Sequence, residues 1–248
     1  MTQNAIEIKD LRLTYTSRQS FSVRNSLFRL QKSTPLRVEA LRGVSFDVTK
    51  GEVLGIVGRN GSGKTTLLQT MAGVFAPDSG SIDLKGNSIS LLTLGTGFQT
   101  ELSGRENILL HGLLLGFSRE QLLEKMDEII AFSELGDAIE RPLRTYSSGM
   151  NSKLAFSISA ILETDILLID EILSVGDTAF REKSSAKVRE LIEDRERTAL
   201  IVSHQEASLR ALCNRILWLH DGLVREFGDT GPVLDHYLEY MSKSPRTD

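Results

Sequence analysis

The clearest chemistry in this sequence lies in residues 58–65, which read GRNGSGKT. They fit a pattern of one glycine, four free positions and then Gly-Lys-Ser/Thr, which forms a phosphate-binding loop. The flanks agree, because an apolar run over 53–57 predicts a buried strand and residues 66–73 predict a helix. Backbone N–H groups at a helix N-terminus bind phosphate oxygens. We therefore expect Lys64 to reach the β- and γ-phosphates of a nucleotide and the Thr65 hydroxyl to ligate Mg²⁺.

The glycines of this loop serve the same chemistry. Gly58, Gly61 and Gly63 allow left-handed or crowded backbone conformations that a Cβ atom would block. The alternative is a glycine-rich turn that binds nothing, and both the spacing and the flanking elements argue against it.

Polar residues that follow later apolar runs supply the rest of a phosphoryl-transfer site. Asp170 ends a buried strand and fits the acid that holds Mg²⁺ through its water shell, and Glu171 fits the base that orients and deprotonates the attacking water. His204 ends another buried strand on the side where the phosphates should lie, and the Gln99 amide can reach Mg²⁺ and the water. The alternatives are a polar strand end for the acids, a structural histidine and a solvated loop glutamine.

Composition excludes several classes of protein. The chain has 248 residues, 40% of them hydrophobic, and a net charge of −4, which gives no sign of a nucleic-acid-binding protein. Cys213 is the only cysteine, so an internal disulfide and a cysteine metal cluster are excluded, and a reducing cytosolic compartment is favoured. The apolar runs are far shorter than the roughly 18 residues of a membrane span. A membrane role would therefore need a partner or a surface helix.

The remaining pattern predicts an α/β core with an inserted helical lobe. Ser103 with Glu106 and Ser118 with Gln121 match capping boxes, which start two helices between the phosphate loop and the next buried strand. A third helix is expected to open at Tyr146. Further strands are predicted over 5–15, 40–48, 82–94, 166–169, 199–204 and 216–219, and further helices over 178–195 and 230–242.

Residues 16–38 differ in composition from their surroundings. They carry basic side chains without an acid among them: Arg18, Arg24, Arg29, Lys32 and Arg37. One interpretation is a mobile loop with solvated charge. The other is a basic amphipathic segment that faces lipid headgroups or a membrane partner.

Taken in order, these motifs resemble the ATPase subunits of ATP-binding-cassette (ABC) transporters over nearly the whole chain. The resemblance makes Tyr15 the residue that stacks on adenine, residues 146–150 the family's signature segment and residues 174–177 the loop that crosses the dimer interface. It implies an α/β P-loop NTPase fold of the ABC ATPase type. Such a fold has a RecA-like core, an antiparallel β subdomain and an inserted α-helical subdomain.

The resemblance also implies a division of the chain. A single nucleotide-binding domain would span 1–248, with the core and β subdomain at about 1–98 and 164–230, the helical subdomain at about 99–163, a basic insertion at 16–38, and a C-terminal helix and tail at 231–248.

The same resemblance assigns site residues. The cofactors would be ATP and Mg²⁺. Nucleotide contacts are expected from Tyr15, Gly58, Arg59, Asn60, Gly61, Ser62, Gly63, Lys64, Thr65, Thr66, Ser147, Ser148 and Gly149. Catalytic roles are expected for Glu171, His204 and Gln99, and metal contacts for Thr65, Gln99 and Asp170.

Several segments resemble more narrowly the exporters of bacterial surface polysaccharides, namely capsule, O-antigen and teichoic acid. The signature departs from the common Leu-Ser-Gly-Gly-Gln by having Ser148 and Met150, so contact with a partner's γ-phosphate must rely on Ser147 and Gly149. Some O-antigen exporters carry a carbohydrate-binding domain after the ATPase, and we expect none in a chain of this length. The segments with this likeness are 94–98, 101–108, 145–150 and 174–177.

The partners implied are a second copy and a membrane subunit. Two copies would form a head-to-tail dimer, with each ATP held by Lys64 of one subunit and Ser147 of the other. The dimer would act on a polytopic permease at the cytoplasmic face of the inner membrane to export a lipid-linked polysaccharide, with no nucleic acid bound. The alternative is a soluble ABC ATPase that acts on DNA or ribosomes, which a single cassette, an acidic balance and the lack of heptads argue against. An importer or small-molecule efflux ATPase fits the segments above less well.

Overall fold

The computed structural model describes residues 3–17, 36–92, 97–170, 177–193 and 197–243. The strands are β1 (Asn4–Ser17), β2 (Leu36–Thr49), β3 (Val53–Val57), β4 (Ser79–Asp83), β5 (Ile89–Leu91), β6 (Ile166–Asp170), β7 (Thr198–Val202), β8 (Arg215–His220) and β9 (Leu223–Asp229). The helices are α1 (Lys64–Met71), α2 (Gly104–Leu114), α3 (Arg119–Ser133), α4 (Ser148–Ile161), α5 (Thr178–Glu193), α6 (Glu206–Leu212) and α7 (Thr230–Lys243).

The main sheet follows the order β5-β6-β7-β3-β8-β9 in the described part of the chain. In this order, each of the strands β5, β6, β7, β3 and β8 is parallel to its neighbour, and β9 is antiparallel to β8. Strands β3 and β7 are buried at every residue, as their continuous apolar sequences predict for strands covered on both faces. The parallel strands therefore end at one common edge, which is where ligands bind in open α/β sheets. This architecture confirms the predicted α/β fold class.

Alternating residues of β3 face two separate apolar cores. Leu54 and Ile56 pack with α1 and with the antiparallel sheet β2-β1-β4 on one face. Val53 and Val57 pack on the other face with residues of α5, α6 and α7. The period-2 alternation of a strand explains this division. Helix α1, which follows the phosphate loop, therefore packs against both the main sheet and strands β1 and β2 of the antiparallel sheet.

Helices α2, α3 and α4, with the 3₁₀ turns Gly136–Glu140 and Leu143–Thr145, pack around a third apolar cluster. These elements are called the helical lobe below. Both predicted capping boxes are confirmed: Ser103 and Glu106 cap α2, and Ser118 and Gln121 cap α3, with backbone and side-chain groups bonded reciprocally.

Some element boundaries differ from the sequence predictions. The third helix begins at Ser148 instead of Tyr146, because Ser147 takes the N-cap position. Helix α1 begins two residues earlier than expected, directly at Lys64. Strands β1 and β2 pair out to Ser17 and Leu36, so the predicted insertion over 16–38 is too wide at both ends.

Some predictions fall outside the described residues. These are the catalytic role of Glu171, the interface loop 174–176, the basic segment 18–35 and the tail 244–248. In the parts of the chain that the structure describes, none of the helices is both long and apolar enough to cross a bilayer.

Candidate functional site

The phosphate loop joins β3 to α1 in a conformation that its glycines make possible. Gly58 has φ 153°, and a Cβ atom there would lie 2.3 Å from the Leu219 carbonyl oxygen of β8. Gly63 has φ 102° at the N-cap of α1, and its Cβ would lie 2.6 Å from the Ala40 carbonyl oxygen. Larger residues would force the loop away from β8 and β2. The loop is therefore built by close backbone contact with both sheets.

Lys64 holds its ammonium group within this loop. Its Nζ donates to the carbonyl oxygens of Gly58 at 2.7 Å and Arg59 at 3.0 Å, and the residue is 7% exposed. A buried ammonium requires such partners, because removing a charge from water without them is costly. The positive charge thus lies beside the N-terminus of α1, where two sources of attraction for an anion coincide.

Hydroxyl groups of the loop fit a nucleotide as well. Ser62 is 2% exposed, and its Oγ lacks a hydrogen-bond partner among the described residues. The neighbouring Thr65 is exposed at the second residue of α1. A buried hydroxyl without a partner is unusual in native proteins and invites a polar ligand. These residues fit phosphate oxygens and, for Thr65, a Mg²⁺ ion that prefers oxygen ligands.

The predicted adenine residue lies next to the same helix. The Tyr15 hydroxyl donates to Thr66 Oγ1 at 3.3 Å, and its ring meets Phe75 edge-on with centroids 5.5 Å apart. The residue remains 36% exposed. The structure therefore brings Tyr15 and the loop together, and it leaves part of the aromatic ring accessible for stacking.

Asp170 and His204 lie at the edge of the main sheet where the parallel strands end. Asp170 is the last residue of β6 and pairs with Val202 of β7, which pairs in turn with Ile56 of β3, two residues before the loop. His204 lies two residues beyond the end of β7 and is exposed. The half-buried Asp170 carboxylate thus lies at the end of β6, and only β7 separates this strand from β3, which leads into the loop with Lys64.

Gln99 lies at the entry to the helical lobe with its side chain exposed. Its backbone N–H donates to Asn107 Oδ1 at 2.8 Å, and its carbonyl accepts from Asn107 Nδ2 at 3.0 Å. Its carbonyl also accepts from the Leu102 N–H at 3.1 Å, so the backbone of Gln99 is hydrogen-bonded to α2 and to the turn that precedes it. Asn107 belongs to a segment that the sequence resemblance marks, but the hydrogen bonds themselves have no sequence signal.

The signature segment begins α4 within the helical lobe. Ser147 is the N-cap, and its Oγ accepts from the Met150 N–H at 3.2 Å, so Ser148 and Gly149 form the first helical turn. This helix N-terminus opens on a cavity of about 580 Å³ whose walls also include Lys153, Glu134 and Asp177. Ser147 and Lys64 thus lie on different helices that pack into different apolar clusters.

A charge network beside the signature segment was not predicted from the sequence. Lys153 Nζ donates to Asp177 Oδ2 at 2.8 Å and lies 3.5 Å from Glu134 Oε2. Hydrogen bonds, first from Lys153 and then from the Phe180 N–H, lower the pKa of Asp177 to about 2. Asp177 Oδ1 also accepts from the Phe180 N–H at 3.0 Å at the start of α5. The network therefore joins the signature helix to the last residue of the expected interface loop.

A family model decides the assignment of the chain. The model described as ABC transporter matches residues 41–174, which include the phosphate loop, the signature segment and Asp170. The chain belongs to the ABC transporter family. This confirms the resemblance found in the sequence.

Two curated proteins that are similar to this chain are named as ATP-binding proteins of export systems. The chain is 42% identical to the O-antigen export system ATP-binding protein RfbB of Myxococcus xanthus, over 94% of this chain and 53% of that protein. It is 44% identical to the teichoic acids export ATP-binding protein TagH of Bacillus anthracis, over 82% of this chain and 37% of that protein. The chain thus spans about half, or less, of the length of these curated relatives.

A solved structure supports the fold. A dimeric ATP-binding cassette in a post-hydrolysis state, bound to ADP and Pi, superposes with a TM-score of 0.67 and covers 91% of this chain and 98% of that chain. Its sequence is 20% identical, so the likeness concerns the fold alone.

Proposed function

We propose that this chain binds ATP with Mg²⁺ and hydrolyses it to power export of a lipid-linked surface polysaccharide through a separate membrane subunit. The observation that carries the ATPase part is the Lys64 ammonium inside the glycine loop at the start of α1, on the same sheet edge as Asp170. Membership of the ABC transporter family supports it.

Each candidate site residue has a role in the proposed reaction. Lys64 and the backbone N–H groups of the loop bind the β- and γ-phosphates, and Tyr15 stacks on adenine. Thr65, Asp170 and Gln99 would hold Mg²⁺, directly or through water, and the ion when bound neutralises phosphate charge. Glu171, outside the described residues, is proposed as the base that takes a proton from the attacking water, and His204 as a contact to the γ-phosphate.

The proposed active form contains two copies. The N-terminus of α4, with Ser147 and Gly149, presents N–H groups that suit a phosphate. Because α4 lies in the helical lobe and α1 in the core, we propose that a second copy supplies one of these two anion sites to each nucleotide. In this arrangement Lys64 holds the phosphates from one side and Ser147 of the partner subunit from the other. ATP then joins the two copies, and hydrolysis releases them.

The names of the relatives and the chemistry of the surface support the proposed polymer and membrane partner. Both relatives reported above are named as export ATP-binding proteins, one for O-antigen and one for teichoic acids. The helical lobe exposes Leu113 and Leu114 at 52% and 68%, and Leu114 approaches Gly97 next to Gln99. Exposed leucines beside the proposed catalytic glutamine suit a membrane subunit whose movement must reach the nucleotide. The chain would then lie peripherally at the inner membrane.

The experiment that tests this function combines hydrolysis with membrane recovery. The purified chain should hydrolyse ATP only with Mg²⁺, and it should sediment with membranes only when its membrane partner is co-expressed. Leu114→Asp should abolish this recovery, whereas Leu223→Asp, at a leucine of β9 that is 41% exposed, should not. Recovery on ribosomes, or equal recovery of both variants, would contradict the assignment.

A further inference from the structure

Asn107 of α2 uses its whole amide to hold the backbone around Gln99. The residue is fully buried, and its Oδ1 accepts from the Gln99 N–H at 2.8 Å. Its Nδ2 lies within hydrogen-bond distance of the carbonyl oxygens of Gln99 at 3.0 Å, Leu102 at 3.2 Å and Ser103 at 2.9 Å. An asparagine amide offers two donor hydrogens and two acceptor lone pairs, so both ends of this side chain are engaged.

The same stretch is bonded to the residues that precede the signature segment. The Arg144 N–H donates to the Thr100 carbonyl at 2.9 Å, and the Leu143 N–H donates to the Leu102 carbonyl at 2.9 Å. Residues Ser103 and Pro142 form an antiparallel bridge beside them. The backbone of residues 100–103 is therefore bonded to residues 142–144 of the helical lobe, and this segment leads into Ser147.

We propose that Asn107 is a positioning residue for Gln99. By holding both backbone groups of Gln99, it makes the glutamine side chain move with the helical lobe and hence with the Ser147 end of α4. The Gln99 amide, which would bind Mg²⁺ and water at one nucleotide, would then be positioned by the same lobe that would contact the nucleotide of the partner subunit. This inference rests on the proposed function, because it requires that Gln99 acts in ATP hydrolysis.

A double-mutant cycle in steady-state ATP hydrolysis separates this role from a structural one. The variants are Asn107→Ala, Gln99→Ala and the two combined, each measured for kcat, for KM of ATP and for the Mg²⁺ concentration at half activity. We expect Asn107→Ala to lower kcat about 10- to 100-fold, the range found for residues that orient a metal-site ligand. KM for ATP should change little, because Lys64 and the loop are untouched. In the Gln99→Ala background the second substitution should add nothing.

The control is an asparagine of similar bonding elsewhere. Asn87 donates from Nδ2 to the carbonyl oxygens of Ala5 at 3.1 Å and Leu84 at 2.8 Å, in the connection between β4 and β5. Asn87→Ala removes comparable side-chain bonds to the backbone, but to Ala5 and Leu84 and not to residues 99–103, and kcat should stay at the wild-type value. Should Asn107→Ala not fold, Asn107→Asp replaces it. This variant keeps the acceptor for the Gln99 N–H, and its kcat relative to wild type should rise as pH falls, because only the protonated carboxyl can donate to the carbonyls.

The outcomes are distinct. If Gln99→Ala lowers kcat and Asn107→Ala lowers it further by the same factor in that background, the positioning role is wrong while the ATPase assignment stands. If Gln99→Ala has wild-type kcat, the role proposed for Gln99 is wrong and the inference with it. If Asn107→Ala lowers kcat in the wild-type background and causes no further fall in the Gln99→Ala background, the result supports the proposal.

Discussion

At the scale of single residues, Lys64 shows how the phosphate loop stabilises a buried positive charge. Its ammonium donates to the carbonyl oxygens of Gly58 and Arg59, which curve around it because of the loop's left-handed glycines. Phosphate oxygens carry full negative charge and form stronger hydrogen bonds with an ammonium than carbonyl oxygens do. The loop is therefore folded around the ammonium group that we propose binds the nucleotide phosphates.

Removing this charge should weaken nucleotide binding. Lys64→Ala should raise the Kd for ATP at least about tenfold, since a hydrogen bond to a charged group contributes about 1.5–3 kcal/mol. Isothermal titration calorimetry with ATP measures the change. Lys50→Ala, at an exposed lysine in the turn before β3, should leave the Kd unchanged. Equal affinities for the Lys64→Ala variant and the wild type would contradict the role of the loop.

At the scale of elements, the helical lobe depends on its capping boxes. Ser118 Oγ accepts from the Gln121 N–H at 3.3 Å, and Gln121 Oε1 accepts from the Ser118 N–H at 2.8 Å. These bonds satisfy backbone donors at the start of α3 that otherwise lack partners within the helix.

Ser118→Ala should therefore destabilise the protein by about 1 kcal/mol. Urea unfolding followed by circular dichroism measures the difference in the free energy of unfolding. Ser118→Asp keeps a side-chain acceptor at the N-cap and should recover most of the loss. A Ser118→Ala variant as stable as the wild type would show that the capping box contributes nothing here.

Local sequence signals explain which elements could be predicted. The capping boxes and the apolar runs of β3, β6 and β7 lie within a few residues of the structure they specify, and these elements formed as expected. Strand β9 was missed, because it is the last strand of the sheet and only part of each face is buried. Helix α6 spans a few residues without a capping side chain. Such elements form because neighbouring strands and helices hold them.

The site was predictable only where its chemistry is local. The phosphate loop needs residues at fixed spacing, and they appear together in the sequence. By contrast, Lys153 and Asp177 are 24 positions apart, and their ion pair exists only because α4 packs on α5. The same holds for Asn107, whose bonds to Gln99 depend on how the chain turns back at residues 99–103. Tertiary contacts of this kind leave no periodic pattern.

At the scale of the whole molecule, Arg215 forms a part-buried ion pair at the point where the two sheets meet. Arg215 of β8 donates from Nη2 to Glu52 Oε2 at 2.8 Å and to the Asp47 carbonyl of β2 at 2.8 Å. Glu52 also accepts from the Thr49 N–H at 2.8 Å. Burial opposes ionisation of Glu52, but the hydrogen bonds from Arg215 and Thr49 outweigh it and lower the pKa of Glu52.

This pair predicts a pH dependence of stability. A carboxyl whose pKa is lowered by folding stabilises the protein above its unfolded pKa of about 4.3, and the contribution is lost as pH falls through the folded pKa. Glu52→Gln should lower the free energy of unfolding at neutral pH by about 2 kcal/mol. The difference from wild type should shrink below about pH 4.

Urea unfolding at a series of pH values tests this prediction. Glu39→Gln is the control, because the pair of Glu39 with Arg42 at 3.6 Å is exposed, and its loss should have little effect at any pH. A Glu52→Gln deficit that stays constant down to pH values below the folded pKa would contradict the linkage.

The largest claim concerns two molecules. The anion sites at α1 and at α4 lie on separate parts of one chain, and the proposed mechanism requires two copies to close on ATP. In the proposed mechanism hydrolysis would end this contact, so the closed form should accumulate when Glu171 is replaced. A substitution at the signature can then test which surface the second copy uses. Ser147→Asp suits this purpose, because aspartate is a good N-cap but its carboxylate repels phosphate.

The most direct test is the mass of the Glu171→Gln variant in solution, measured by light scattering during size-exclusion chromatography with saturating ATP and Mg²⁺. We predict a dimer with ATP and a monomer without nucleotide, and a monomer under both conditions when Ser147→Asp is added. A Glu171→Gln variant that binds ATP but stays monomeric would contradict the account.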